Sequence, residues 1–265
     1  MAIFRHKIGK MSFAETFRRD VDLGLSQTNK TLSSKYFYDE RGDALFVEIM
    51  NTPEYYLSRS ELEIWKDQSK EILESLDICD NGVDIFELGA GDGTKTVELL
   101  KVLNGHNYNF KPIDISQNAL DILEKRLKKS IPNIKIEGIK KEYFEALTDI
   151  QGVRKKIILF LGSNIGNLTD KQCDKFIKKL WELMGPEDKL VIGFDLKKSA
   201  SIILPAYNDL QGITKKFNLN LLERINRELG ADFNISNFDH QPVYDEESRV
   251  AKSYLLSRIK HEVHI

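Results

Sequence analysis

The stretch FELGAGDGTKT, Phe86 to Thr96, decides how the rest of the chain is read. The apolar run VDIFEL leads into it and the helix-like run TKTVELLKVL leads out, so glycines 89, 91 and 93 fall in a strand-to-helix turn. Such a turn lies at the carboxyl end of a sheet, where doubly wound folds hold nucleotides, and glycine lets the backbone come close to the ligand. A dinucleotide fingerprint needs G-x-G-x-x-G. Here the third glycine comes one residue early, at Gly93, and position 94 is Thr, which counts against a nicotinamide dinucleotide.

Outward from this turn, strands and helices alternate. NFKPIDIS reads as a second strand, QNALDILEKRLKKS as a helix capped by Ser116, IKIEGI and KKIILFL as strands three and four. TDKQCDKFIKKLWELM is a helix opened by Thr169 with Gln172 in capping-box register, and KLVIGFDL is the fifth strand. This alternation predicts an α/β fold, a doubly wound parallel sheet wrapped on both faces.

The flanks behave differently. SFAETFRRDVDLGL carries a capping box, Ser12 with Glu15, and places Phe13, Phe17, Val21 and Leu25 at helical spacing. The aromatic-rich segment KYFYDERGDALFVEIMNTPEYYLSRSELEIW shows only short helical patches before a longer helix starting at Ser60. After Leu196 the alternation stops. SASIILPAYNDLQG and TKKFNLNLLERINRELG read as helices, the second closed by Gly230, and two strand-like runs follow around the turn DEES. The final residues alternate apolar and polar up to Ile265, a pattern with no closing turn.

The 265 residues suffice for one large domain, or one domain with a smaller one attached. With 39 basic against 41 acidic residues the net charge is −2, which argues against a nucleic-acid surface. There is no signal-peptide h-region and no run of transmembrane length, and Cys79 and Cys173 read as reduced structural thiols, so a cytoplasmic protein is expected. His106, His240, His261 and His264 have no ligand spacing, so no metal is expected.

Glu87 and the glycines that follow, E-x-G-x-G-x-G, resemble the first motif of class I S-adenosylmethionine (SAM) methyltransferases. In that family the loop, here Glu87, Gly89 and Gly91, faces the methionine part and ribose, and an acid ending the second strand holds the ribose hydroxyls. Asp114 stands there, and a carboxylate accepts two hydrogen bonds from a cis-diol without needing a proton. Glu142 and Tyr143 follow the third strand, where the fold places a polar residue and an aromatic near adenine.

Three longer stretches are more specific. KYFYDERGDALFVEIMNTPEYYLSRSE, LFLGSNIGNLT and AYNDLQGITKKFNLNLLERINRELGADF are similar to the histidine-specific SAM-dependent methyltransferases of ergothioneine biosynthesis, over about Phe17 to Ile265. The resemblance implies a Rossmann-like SAM domain at 63–197 and a smaller α+β substrate domain from 1–62 with 198–265, the amino acid lying between them. It places Gly89, Lys95, Asp114, Glu142 and Tyr143 around SAM, and Gly162, Asn167 and Tyr207 at the amino-acid head group. Tyr38 and Tyr55 or Tyr56 line the same cleft, facing cofactor and substrate.

The implied chemistry is transfer of methyl groups from SAM to the α-amine of a free amino acid, L-histidine becoming its trimethylated betaine, hercynine, with S-adenosylhomocysteine as product. A neutral amine must be presented in line behind the methyl, and Asn167, Tyr207 and Tyr38 are the candidates to hold it. Family members continue with a segment supplying a Glu and a Ser for imidazole recognition, which this sequence does not contain, and Lys252 and Ser253 stand where a Met commonly faces the ring. A shortened SAM-binding homologue without turnover, a partner chain supplying the segment, and a different amino-acid substrate are therefore all open, as is the oligomeric state.

Overall fold

The structure, a computed structural model, describes residues 11–78, 81–103 and 105–265; Cys79 lies outside them. At its centre five strands run parallel in the order β3-β2-β1-β4-β5. They are β1 (Val83–Leu88), β2 (Tyr108–Asp114), β3 (Ile139–Lys140), β4 (Lys155–Phe160) and β5 (Lys189–Ile192). Every residue of β1 is buried, as a central parallel strand covered on both faces requires. On one face Ile85, Phe110 and Leu159 pack with Trp65, Leu100, Leu123 and Leu127. On the other, Phe86, Ile158 and Phe160 pack with Phe176 and Leu180.

Helices α4 (Thr96–Val102) and α5 (Gln117–Ser130) therefore cover one face, and α6 (Tyr143–Ala146) and α7 (Asp170–Leu183) the other. The chain leaves β1 toward β2 and β3, then returns past β1 to add β4 and β5. The strand order thus reverses between β1 and β4, which opens a crevice at their carboxyl ends. The expected Ser116 cap and the Thr169–Gln172 capping box are both present.

Outside the sheet, α1 (Phe13–Ser26) opens with the Ser12–Glu15 capping box and buries Phe17 and Val21 against Leu221, Leu222 and Ile225 of α9 (Ile213–Leu229). Gly230 caps α9 at φ 75°, and the hairpin β6 (Phe238–Asp245) with β7 (Val250–Ser257) forms around the expected turn. A further apolar cluster joins Leu45 and Ile49 to Tyr55, Ala206 and Phe217.

Four expectations need correction. The aromatic-rich segment contains a full helix, α2 (Glu40–Met50), and α3 (Tyr56–Leu76) starts four residues before Ser60. Asp39 caps α2 by accepting the Gly42 N–H at 2.7 Å, and packing on α9 outweighs the weak local helix pattern. The third strand pairs regularly only at Ile139 and Lys140, with a single earlier bridge from Phe110 to Ile136, because it is an edge strand interrupted at Gly138. The helix α8 (Ala200–Ala206) stops well short of Gly212: Pro205 lacks an N–H, and Asp209 turns away to cap α9 through Ile213 and Thr214 at 2.8 and 2.7 Å.

Residues 62 and 63 both fall within α3, which runs on without a break. Its Leu57 packs into the cluster of α2 and α9, while its Trp65 packs against the sheet.

Candidate active site

A cleft of about 1420 Å³ opens over the carboxyl ends of the strands, bounded on the far side by the segment from Tyr38 to Glu61. Its floor is the glycine turn. Gly89 has φ 72°, and a Cβ there would sit 2.5 Å from Asn164 Nδ2 and 2.7 Å from the Tyr143 hydroxyl. Only glycine leaves this surface open to a ligand.

Asp114 ends β2 beside that turn. Its Oδ2 accepts the Gly91 N–H and its Oδ1 the Ser116 N–H, both at 2.9 Å. Burial raises its pKa, and the two backbone donors partly offset this. A carboxylate has about four acceptor sites, so two remain toward the cleft, the number a ribose diol needs. The Ser116 hydroxyl is in turn bonded to buried Asp43 of α2 at 2.5 Å, which ties the β2 tip to the opposite wall.

Glu87, almost fully buried, also lines the floor of the cleft. The Thr96 hydroxyl is 2.7 Å from both of its carboxyl oxygens, and burial pushes its pKa up to about 8. At neutral pH it is mostly protonated and braces the turn rather than adding charge to the cleft. The folded-state value exceeds the ordinary 4.5, so its contribution to stability is complete below about pH 4.5 and is lost as the pH rises through 8. Glu87→Gln, which keeps an acceptor for Thr96, should therefore gain on wild type by roughly 2–4 kcal/mol as the pH rises from about 6 to 9. Thermal melts of both proteins across that range check this; parallel curves would show that Glu87 does not titrate there.

Glu142 caps α6, accepting the Phe144 N–H at 3.1 Å. The Tyr143 ring stands edge-on to Phe160 at 5.2 Å, its hydroxyl against the glycine turn. Gly162 and Asn167 lie beyond β4 on the cleft wall, in a turn where Gly162 (φ 71°) and Ser163 (φ 55°) are left-handed. Tyr38 and Tyr55 also line the cleft. Burial is the leading cause of raised pKa values at Tyr38, Tyr55, Tyr143 and Tyr207, so these hydroxyls stay protonated near neutral pH.

Two predicted residues do not reach the wall. Tyr56 opens α3 and gives its hydroxyl to Asp195, so of the two adjacent tyrosines it is Tyr55 that faces the cleft. Tyr207, just past the end of α8, stands edge-on to Tyr55 at 6.5 Å and packs on the cluster around Phe217, outside the residues that line the cleft. Lys252 pairs with Asp245, and Ser253 bonds His240 on the hairpin, away from the cleft lining.

The sequence reading gave no role to two lining residues. Asn164 donates to the Gly89 carbonyl at 3.3 Å. Glu61 accepts the Gly162 N–H at 2.8 Å and pairs with Lys95. Both stood inside the stretches quoted above, GSNIGNL and the end of LSRSE, where an acid amid polar helix residues reads as solvated surface.

The glycine cradle, the acid at the β2 tip and the adjoining aromatic suit a nucleoside carrying an amino-acid tail. Comparison with known proteins agrees. The family model described as histidine-specific methyltransferase, SAM-dependent, matches residues 17–265. The chain is 35% identical over 257 residues to the histidine N-alpha-methyltransferase of Mycolicibacterium smegmatis, covering 96% of this chain and 78% of that protein. It is 38% identical over 225 residues to the protein of the same name from Mycobacterium tuberculosis, covering 84% and 69%. It also matches Ergothioneine biosynthesis protein 1 of Schizosaccharomyces pombe at 33% identity, over 88% of this chain but 31% of that one. With the glycine turn, the acid at the β2 tip and the GSNIGNL turn all facing one cleft, the chain belongs to the histidine-specific, SAM-dependent methyltransferases.

Proposed function

We propose that this chain methylates the α-amine of free L-histidine, up to the trimethylated betaine. The observation that carries the reading is the joining, in one cleft, of a SAM-type glycine turn with Tyr38, Tyr55 and Asn167 from the stretches that mark the family. SAM, when bound, supplies a methyl group on a sulfonium, and Gly89, Gly91, Lys95, Asp114, Glu142 and Tyr143 are the residues that would hold it.

The chain's own part is to bind, orient and keep water out. Asn167 offers an amide oxygen and amide hydrogens to the amino-acid head group, so it can accept from an amine while that amine still carries hydrogens. The buried Tyr38 and Tyr55 hydroxyls donate or accept while remaining protonated. None of them is a ready base at neutral pH, so the α-amine enters as its neutral form, the proton left on nitrogen after each of the first two transfers is lost to solvent before the next, and the enzyme's work is to fix the lone pair in line. Tyr207 packs edge-on against Tyr55, and the Tyr56 hydroxyl donates to Asp195, which itself lines the cleft.

The division into a SAM domain at 63–197 and a substrate domain from the flanks is part of this reading. It is supported by the separate apolar clusters on the sheet and around α9, with α3 as the connecting strut. A cytoplasmic location and a small amino acid as the partner belong to the same reading. Among the described residues no helix is long and apolar enough to cross a membrane.

The test is to incubate the purified chain with SAM and all twenty amino acids together and to follow mass gain. Histidine alone should gain one, two and three methyl groups. Preferential methylation of another amino acid would replace histidine as substrate, and S-adenosylhomocysteine binding without any product would point to a SAM-binding protein without turnover.

A further inference from the structure

Glu61 projects from α3 into the crevice between β1 and β4, where three backbone segments meet it. It accepts the Gly162 N–H with both oxygens, at 2.8 and 3.0 Å, and it pairs with Lys95 at the start of α4. A Cβ at Gly193 would sit 2.0 Å from its Oε1, and one at Gly162 would sit 3.1 Å from Lys95 Nζ. Glycines at both positions thus make room for an acid and a base side by side at the switch point of the sheet. Their side chains are only 15% and 21% exposed.

The pair is not saturated. A carboxylate has about four acceptor sites and an ammonium three donors, and here one backbone N–H and one ammonium contact draw on Glu61 while Glu61 draws on one donor of Lys95. What remains is an anionic acceptor beside a cationic donor, the complement of an α-ammonium beside an α-carboxylate. The other acid under the glycine turn, Glu87, is mostly neutral and engaged by Thr96, so it does not supply that anion.

We infer that Glu61 completes the site for the amino-acid tail of SAM: it accepts from the α-ammonium, beside Lys95, which the family resemblance already places at SAM and which faces the α-carboxylate. This rests on the SAM-dependent reading of the cleft. Glu61 then has a direct binding role of its own, beyond holding Lys95 in place.

Titration calorimetry with three nucleosides tests this role: S-adenosylhomocysteine, its analogue lacking the α-amino group, and 5′-methylthioadenosine, which lacks the whole tail. Glu61→Gln keeps an acceptor for the Gly162 N–H and should weaken S-adenosylhomocysteine about 10- to 100-fold. The deamino analogue and 5′-methylthioadenosine should bind wild type and variant within about threefold of each other, which also shows that the variant is folded. Gly193→Ala, which displaces Glu61 without removing it, should reproduce the same selective loss. Equal losses for S-adenosylhomocysteine and the deamino analogue would mean that Glu61 acts only through Lys95, and would overturn the inference. Wild type that binds none of the three would instead remove the SAM reading beneath it.

Discussion

Asp114→Asn should weaken S-adenosylhomocysteine by at least about 100-fold while the chain stays folded, the expectation for losing two charge-assisted hydrogen bonds worth about 1.5–3 kcal/mol each. The reason lies in how Asp114 is already committed. One oxygen accepts from Gly91 and the other from Ser116, so both must be acceptors. An Asn has one carbonyl oxygen, and its NH2 group would have to face one of those N–H donors. The substitution therefore removes the negative charge that suits a diol and at the same time loosens the turn that carries Gly91. Calorimetry against wild type measures the loss, and circular dichroism confirms the fold. Affinity kept within about threefold would remove Asp114 from the nucleoside site.

Gly89→Ala should be nearly as damaging, for a steric reason. The position has φ 72°, where a side chain costs about 1–2 kcal/mol, and the new Cβ would lie inside contact distance of Asn164 Nδ2 and the Tyr143 hydroxyl. The Tyr143 ring cannot easily retreat, since it packs on Phe160 at 5.2 Å and Phe176 at 6.2 Å. Expected outcomes are a stability loss of about 1–3 kcal/mol and affinity for S-adenosylhomocysteine reduced about tenfold or more. Gly91→Ala is the useful contrast. It shares the left-handed backbone, φ 56°, but a Cβ there meets nothing within 4 Å, so it carries strain without the clash. Equal behaviour of the two variants in denaturant melts and titrations would show that backbone strain alone accounts for Gly89.

Much of this was legible from the sequence because the signals were local. Capping boxes at Ser12 and Thr169, the apolar runs of β1 and β4 and the glycine at the end of α9 each announce themselves within a few residues. Where formation depends on distant packing, local pattern fell short. Helix α2 contains Arg41, Gly42 and Asp43 in its first turn and owes its stability to Asp39 and to the face it buries on α9. Adjacent Tyr55 and Tyr56 are equivalent on paper; the start of α3 turns one into the cleft and the other to Asp195. Tyr207 sat in a telling motif, yet its ring stands edge-on to Tyr55 and packs on the cluster around Phe217, a placement set by contacts far away in the chain. Glu61 and Lys95 are 34 residues apart in the chain, and their pairing follows from topology alone.

In this cleft the methyl groups should go to the α-nitrogen of histidine and to no other atom. The most direct test is a time course of the purified chain with SAM and L-histidine, the product being fragmented by tandem mass spectrometry to locate each methyl group. Successive mono-, di- and trimethylated species are expected, with every methyl on the α-nitrogen and the imidazole unmodified. Methyl groups on the imidazole, or unchanged histidine in a sample that binds S-adenosylhomocysteine tightly, would contradict it.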